Sequence, residues 1–265
     1  MNQTTHASFY NTADPKRLGI GDSGRDRIQS HRMALEGLLP DAKGIVFELG
    51  CGLNALGSLH PNYFGLDISF CAISESLDRQ KLICGSMEEL PLGDQSVDFV
   101  FSITALEHTP CPERVLAEIC RILKPGGTAY LAPAWHCRWW VSKGLHLKPY
   151  HDLNLFERVQ KVSIPLANSL ICRAVVALLF RLTLEIRYLL SKRKPFPFYY
   201  RTLQPNLLEY IDTDSDAFSW MDPHAMILYF ASRNYQIMNV ASFWERLKVT
   251  HEPVVARKPR HAIAS

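Results

Sequence analysis

Gly44-Ile45-Val46-Phe47-Glu48-Leu49-Gly50-Cys51-Gly52-Leu53-Asn54-Ala55-Leu56-Gly57 is the stretch that decides how this chain is read. Its β-branched and aromatic opening is the pattern of a strand buried on both faces. The run then breaks into closely spaced glycines, which let the backbone turn sharply and approach a ligand with no Cβ in the way. Glu48 stands near the strand end, two residues before the first of the paired glycines. A strand feeding a glycine turn is where open α/β sheets bind nucleotide-like ligands, beyond the carboxyl ends of their strands.

The rest of the composition sets bounds on that reading. The chain has 265 residues, room for one large α/β domain with an insertion. A hydrophobic fraction of 47% with 21% charged residues is ordinary globular composition. The formal net charge of +3 is too small to argue for nucleic acid by itself. Seven cysteines, with no C-x-x-C pair among them, read as reduced thiols in a cytoplasmic compartment, without a zinc site or disulfide frame. The polar start, Met1 to His6, does not read as a signal peptide, and no uncharged apolar run approaches the roughly 20 residues that span a bilayer.

Further elements follow in order. Residues to about Gly21 read as a mobile polar lead-in, and Asp22-Ser23 open a helical pattern that Pro40 stops. After the opening strand come Asn62–Asp67, Lys81–Cys84 and Val97–Ser102, each with strand character. Pro112–Leu123 is a helix, because Val115, Leu116, Ile119, Ile122 and Leu123 recur at three and four residues. Thr128–Ala132 is a fifth strand. Alternating strands and helices imply a mostly parallel sheet with right-handed crossovers. The alternation stops from about Ala134 to Met221, then resumes with a helix from Asp222-Pro223 to Ser232 and strands near Gln236–Phe243 and Val254–Arg257. The expected organisation is a lead-in and helix over 1–41 and a core over 42–133 and 222–258. Residues 134–221 form an insertion that recognises the acceptor, and 259–265 a tail.

Four ordered pieces then resemble one family. They are Glu48-Leu49-Gly50-Cys51-Gly52; Gly65-Leu66-Asp67-Ile68-Ser69; Leu90-Pro91 with Ser96-Val97-Asp98-Phe99-Val100; and Leu106-Glu107-His108 with Leu123-Lys124-Pro125-Gly126-Gly127. Together they resemble the class I S-adenosylmethionine-dependent methyltransferases of the small-molecule, type 11-like group, over about Val46 to Leu131. The resemblance implies a Rossmann-like three-layer α/β sandwich, with a mostly parallel seven-stranded sheet and a largely helical insertion after the fifth strand. It implies S-adenosyl-L-methionine as cofactor. The Gly50-Cys51-Gly52 turn would turn backbone amides to the carboxylate end, with Glu48 supporting the loop and the ammonium group. Asp67 would accept both ribose hydroxyls, Ile68 would lie on an adenine face, and Ser86 and Met87 would meet the adenine edge. Ser86 departs from the acid usual at its position, which implies either weaker anchoring of the adenine or Glu88 taking that role.

Methyl transfer from a sulfonium needs in-line approach and exclusion of water, and a base only if the acceptor must lose a proton. His108, after the fourth strand, is the candidate base; capping or packing of its loop is the competing role. No Asn/Asp-Pro-Pro-aromatic run follows that strand, which counts against methylation of nucleic-acid bases, and no metal-binding carboxylate cluster is apparent. The insertion opens with Trp135, His136, Arg138, Trp139, Trp140 and Lys143. It runs on through an apolar helical stretch from about Pro165 to Leu190, and ends in Ser191-Lys192-Arg193-Lys194 and an aromatic run. Two readings stand side by side: peripheral membrane contact near a small or lipid-linked acceptor, or a cap packed on the core or on a second copy. Two other functions fit parts of the chain. Gly50-x-Gly52-x-x-Ala55 also matches a nicotinamide or flavin fingerprint, with Tyr188 and Lys192 at dehydrogenase spacing. A non-catalytic protein retaining the fold is the third possibility.

Overall fold

The computed structural model describes residues 3–12, 22–76, 78–191, 195–207, 215–249 and 251–260. The opening stretch is a strand: β1 (Val46–Leu49) is buried at all four positions. It lies at the centre of a parallel group with β2 (Tyr63–Asp67), β3 (Leu82–Cys84), β4 (Val97–Ile103) and β5 (Leu123–Ala132). Two C-terminal strands, β8 (Gln236–Ile237) and β9 (Val254–Arg257), complete a seven-stranded sheet in the order β3-β2-β1-β4-β5-β9-β8. Only β9 runs against its neighbours. The expected mostly parallel seven-stranded sheet is the one observed. Its strand order reverses direction between β1 and β4, so the ends of β1, β2 and β4 border one crevice.

Helices cover both faces. On α4 (Pro112–Ile122), Val115, Leu116, Ile119 and Ile122 are fully buried; each such side chain contributes roughly 1.5–3 kcal/mol relative to exposure. On the same side α8 (Pro223–Ala231) is buried from Pro223 through Phe230, as expected of a helix apolar all round. The opposite face packs Val46, Tyr63, Phe99, Phe101 and Tyr130 against Leu35 of α2 (Asp22–Glu36), and a short α3 (Phe70–Glu75) follows β2.

The elements depart from the sequence reading in four places. The lead-in contains a helix, α1 (Gln3–Thr12), with Phe9 buried; residues 13–21 lie outside those described. The insertion's long apolar stretch is two helices, α6 (Leu155–Asn168) and α7 (Leu170–Leu190), bent by 90°. The break is a capping event, since Ser169 Oγ accepts from Cys172 N at 3.2 Å and opens α7. The reading of Gln236–Phe243 as strand is too long. β8 holds two residues, and Phe243 starts α9 (Phe243–Lys248) behind a capping box of Ser242 and Glu245. Finally, β5 starts directly at Leu123, five residues early, with its register to β4 shifted between Val97 and Phe99. The insertion also holds α5 (Trp139–Ser142) and a ribbon of β6 (Arg201–Thr202) and β7 (Ser219–Trp220).

Candidate active site

The glycine turn is built by extending the β1–β2 pairing. Gly50 N and Cys51 N both donate to Leu66 O, at 2.8 and 3.1 Å. Gly52 N donates to Asp67 Oδ2 at 2.8 Å. All three turn amides that the resemblance assigned to the cofactor are therefore engaged within the protein, so they shape the loop. Gly50 and Gly52 both have positive φ, 76° and 49°. They differ in what surrounds them. A Cβ on Gly50 would overlap the Cβ of Ala105, whereas at Gly52 nothing stands within 4 Å. Gly50 is a packing requirement and Gly52 borders open space.

Asp67, at the end of β2, faces this turn. Its Oδ1 accepts from Ser69 N at 2.8 Å and its Oδ2 from Gly52 N. Each carboxylate oxygen can accept more than one hydrogen bond, so acceptor capacity remains on both. Burial raises its pKa, opposed by the amides of Ser69, Gly52 and Ile68 and by nearby His108. Glu48 is buried and accepts from Tyr63 Oη. Burial pushes its pKa up to about 8, against the pull of the Tyr63 hydroxyl. The Cys51 thiol is also buried and pushed up by burial and by the two acids, which makes it an inert wall.

The remaining expected contacts lie around the same crevice. Ile68 is half-buried directly after Asp67. Met87 Cε comes within 3.5 Å of the position of a Gly50 Cβ, so the β3 loop reaches the glycine turn. Ser86 Oγ accepts from Glu88 N at 3.2 Å. Glu88 Oε1 accepts from Cys111 N at 2.9 Å, which holds that acid at the head of α4 and argues against it as the adenine anchor.

After β4 the chain passes through Thr104, whose φ of 46° is rare for a β-branched residue. A 3-10 turn, Leu106–His108, follows. His108 Nδ1 lies 3.2 Å from Asp216 Oδ2, and Nε2 lies 3.7 Å from Glu107 Oε1. Tyr10 Oη donates to the same Asp216 oxygen at 2.6 Å, and its ring meets His108 edge-on. Ser69 Oγ donates to Tyr10 O at 2.9 Å, which ties α1 to the loop after Asp67. Glu107 is buried with Oε2 unpartnered among the described residues, and burial raises its pKa. Tyr10, Thr104 and Asp216 are additions that the sequence reading missed. Tyr10 and Asp216 are 206 positions apart, and no local pattern links them. A β-branched residue directly before a turn was the only hint for Thr104.

Other residues singled out in the sequence fall elsewhere. His136 Nε2 meets Asp222 Oδ2 at 2.7 Å in a buried cluster with Arg181. His146 belongs to the loop before α6, and its carbonyl accepts from Lys161 Nζ at 3.2 Å. His151 is exposed beside Asp152. Tyr188 packs edge-on against Phe196, and Lys192, Arg193 and Lys194 lie outside the described residues.

The sheet order, the glycine turn and the acid ending β2 define the class I, S-adenosylmethionine-dependent methyltransferase fold. Residues 47–131 match the model of the methyltransferase domain family. A phthiotriol/phenolphthiotriol dimycocerosates methyltransferase of Mycobacterium tuberculosis is 37% identical over 93 residues, covering 31% of this chain and 34% of its own. A 24-methylenesterol C-methyltransferase 2 of Arabidopsis thaliana is 29% identical over 130 residues, covering 43% and 36%. The match spans about a third of the length of these curated relatives. A solved structure from Thermotoga maritima, a possible histamine N-methyltransferase, aligns over 86% of this chain and 82% of its own, with a TM-score of 0.44 and 18% identity.

Proposed function

We propose that the chain is an S-adenosylmethionine-dependent methyltransferase acting on a small or lipid-linked metabolite. One observation carries this reading. A left-handed Gly52 with open space where a Cβ would stand is bonded to a carboxylate with spare acceptor capacity, at the carboxyl end of the central strands. The residues suit the group. Asp67 has two oxygens for the ribose hydroxyls, Ile68 and Met87 give apolar surface for the adenine, and Gly50, Cys51 and Gly52 form the wall under the amino-acid end. Glu48, held by Tyr63, supports that wall from beneath. Ser86 supplies a hydroxyl at the adenine edge. When bound, the sulfonium cofactor supplies an electrophilic methyl group.

The chain's own part in the reaction is alignment, exclusion of water and removal of a proton. His108 is the residue we assign to the last of these, because it follows β4 in the loop beside Asp67 and has the Asp216 carboxylate 3.2 Å from Nδ1 to steady the charged ring. Tyr10, on the same carboxylate, makes α1 part of the cover. The names of the relatives, a sterol and a dimycocerosate methyltransferase, support an acceptor of lipid type. A protein working on such an acceptor belongs on the cytoplasmic side with peripheral membrane contact, and a homodimer through the insertion helix near 165–190 is the other way to cover it.

Titration calorimetry with S-adenosylmethionine and with NADH tests the cofactor. Wild type is expected to bind the former and not the latter, and Asp67→Ala to lose at least about 100-fold in affinity with the fold retained, since a charged acceptor of two hydroxyls is removed. Lysate lipids and metabolites incubated with methyl-labelled cofactor then reveal the acceptor. Binding of NADH alone, or undiminished affinity in Asp67→Ala, would overturn the assignment.

A further inference from the structure

Helix α7 is arranged inside out for a protein surface in water. Ile171, Val175, Leu178, Leu182, Ile186 and Leu189 recur at three and four residues, and every one of them is more than a third exposed. The side turned to the protein carries two charges beside the core residue Leu184. Arg181 and Glu185 are buried. Arg181 bonds both oxygens of Asp222 and Leu247 O, and Glu185 accepts from Arg246. Helix α6 repeats the outward pattern with Leu155, Val159, Val162 and Leu166, and Leu155, Leu166 and Leu170 are 68–81% exposed around the bend. Water selects the reverse arrangement, and an apolar surface this continuous marks an interaction site.

Charge distinguishes what covers it. Residues 138–201 hold twelve lysines and arginines against Asp152, Glu157 and Glu185, a net +9 in a chain whose total is +3. The remainder of the chain is therefore at −6. Arg158, Arg173, Arg187 and Arg201 are exposed within or beside the two helices. A second copy would bring +9 against +9, whereas an anionic bilayer offers hydrocarbon to the leucines and opposite charge to the arginines. Among the described residues no single helix is long and apolar enough to cross a membrane; α6 and α7 reach that length and composition only as a pair bent by 90°, and with arginines spaced along it α7, about 31 Å long at 1.5 Å per residue, fits lying along the interface.

We infer that α6 and α7 form an in-plane docking surface for an anionic lipid bilayer, with the apolar stripes immersed and the arginines at the headgroups. This narrows the partner named in the methyltransferase reading, but its test needs neither cofactor nor acceptor. The protein is floated on a density gradient with vesicles of phosphatidylglycerol and phosphatidylcholine, and with phosphatidylcholine alone, at low and high salt. Wild type is expected to rise with the anionic vesicles, and salt should weaken this by screening. Leu178→Glu with Leu182→Glu should lower the bound fraction at least about tenfold, because each places a charge in the immersed stripe. Arg173→Glu with Arg187→Glu should abolish the preference for anionic lipid.

All four positions are exposed, so circular dichroism and S-adenosylmethionine calorimetry should match wild type. Wild type remaining in the soluble fraction with anionic vesicles at low salt would overturn the inference. So would a stable dimer in sedimentation that the leucine variant splits, with no flotation. If flotation fails while S-adenosylmethionine still binds, the docking surface is wrong and the methyltransferase reading stands. Flotation without cofactor binding would leave the docking surface standing and remove the methyltransferase reading.

Discussion

The paired glycines of the β1 turn make different demands, and substituting each by alanine separates fold from function. At Gly50 an alanine meets two penalties. Left-handed backbone costs a non-glycine residue roughly 1–2 kcal/mol, and the overlap with the Ala105 Cβ adds overpacking of about 1–3 kcal/mol. The expected loss is about 2–5 kcal/mol, or roughly 4–9 °C in a thermal melt for a chain of this size. At Gly52 only the backbone term applies, since nothing stands within 4 Å; the loss should be about 1–2 kcal/mol, roughly 2–4 °C. Its cost appears in binding instead. A methyl in the open space beside Asp67 should weaken S-adenosylmethionine at least about tenfold, the scale of an overpacked contact. Gly50→Ala combined with Ala105→Gly removes the overlap and should recover the overpacking share, so the pair will be non-additive in melts. Additivity within about 0.5 kcal/mol would show that the overlap with Ala105 is not what restricts Gly50. Wild-type cofactor affinity in Gly52→Ala would remove the cofactor from the turn altogether.

Three further outcomes follow from the same geometry. Burial holds the Glu48 carboxyl at about 8 when folded, against an unfolded value of 4.5, so the native state keeps a proton that the unfolded chain releases. The contribution is fully present below pH 4.5 and is lost as pH rises to 8, by up to ~1.4 kcal/mol per pH unit; Glu48→Gln should flatten cofactor-free melts across that window, and an unchanged slope would place the linkage elsewhere. For a hydroxyl acceptor, His108→Ala should lower kcat about 10²–10⁴-fold without weakening S-adenosylmethionine. Undiminished kcat in His108→Ala would exclude it as the base. Burial raises the Asp222 pKa, but His136 and Arg181 outweigh it and hold that carboxyl below its ordinary range. Its contribution is present above the unfolded value of 3.8 and lost as pH falls through the lower folded one. Arg181→Met should reduce that acid-side dependence, leaving the share held by His136, and cost about 3–5 kcal/mol by leaving a buried charge short of one partner, read in melts from pH 3 to 7.

What was legible in the sequence was local. The β1 run, the acid ending β2, the periodicity of α4 and the Val254–Arg257 strand each declare themselves within a dozen residues, and each stands where it was expected. Helix α1 was not legible, because Gln3–Thr12 is polar and its ordering rests on distant partners, Asp216 for Tyr10 Oη and Ser69 for Tyr10 O. The division at Ser169 was hidden for another reason. An apolar run continues on both sides, and a serine inside it looks like an interior residue until its side chain is seen capping Cys172. Ser242 and Glu245 carried a readable signal, a capping box three residues apart, which the strand-like composition before them masked.

The proposed cofactor side and the proposed acceptor side of the site are built by different means. Cofactor-side residues come from successive strand ends, so sequence order alone assembles them. The acceptor side depends on the insertion returning to its own starting point. Phe218 N donates to Glu107 O at 2.8 Å, Leu203 N to Phe218 O at 2.7 Å, and His136 N to Met221 O at 3.1 Å. Both ends of the insertion are thus fastened beside His108. Between those ends lies α7, held to the core by Arg181 on Asp222, which also receives His136. One buried carboxylate therefore joins the outward apolar helix to the first turn of the insertion. A surface that binds lipid through α7 is in this way fixed in position relative to Glu107 and His108. It follows that Leu178→Glu with Leu182→Glu should reduce turnover on a vesicle-borne acceptor while leaving turnover on a soluble short-chain analogue unchanged. Equal losses on both would mean that the helix shapes the site itself and does not simply bring the protein to the membrane.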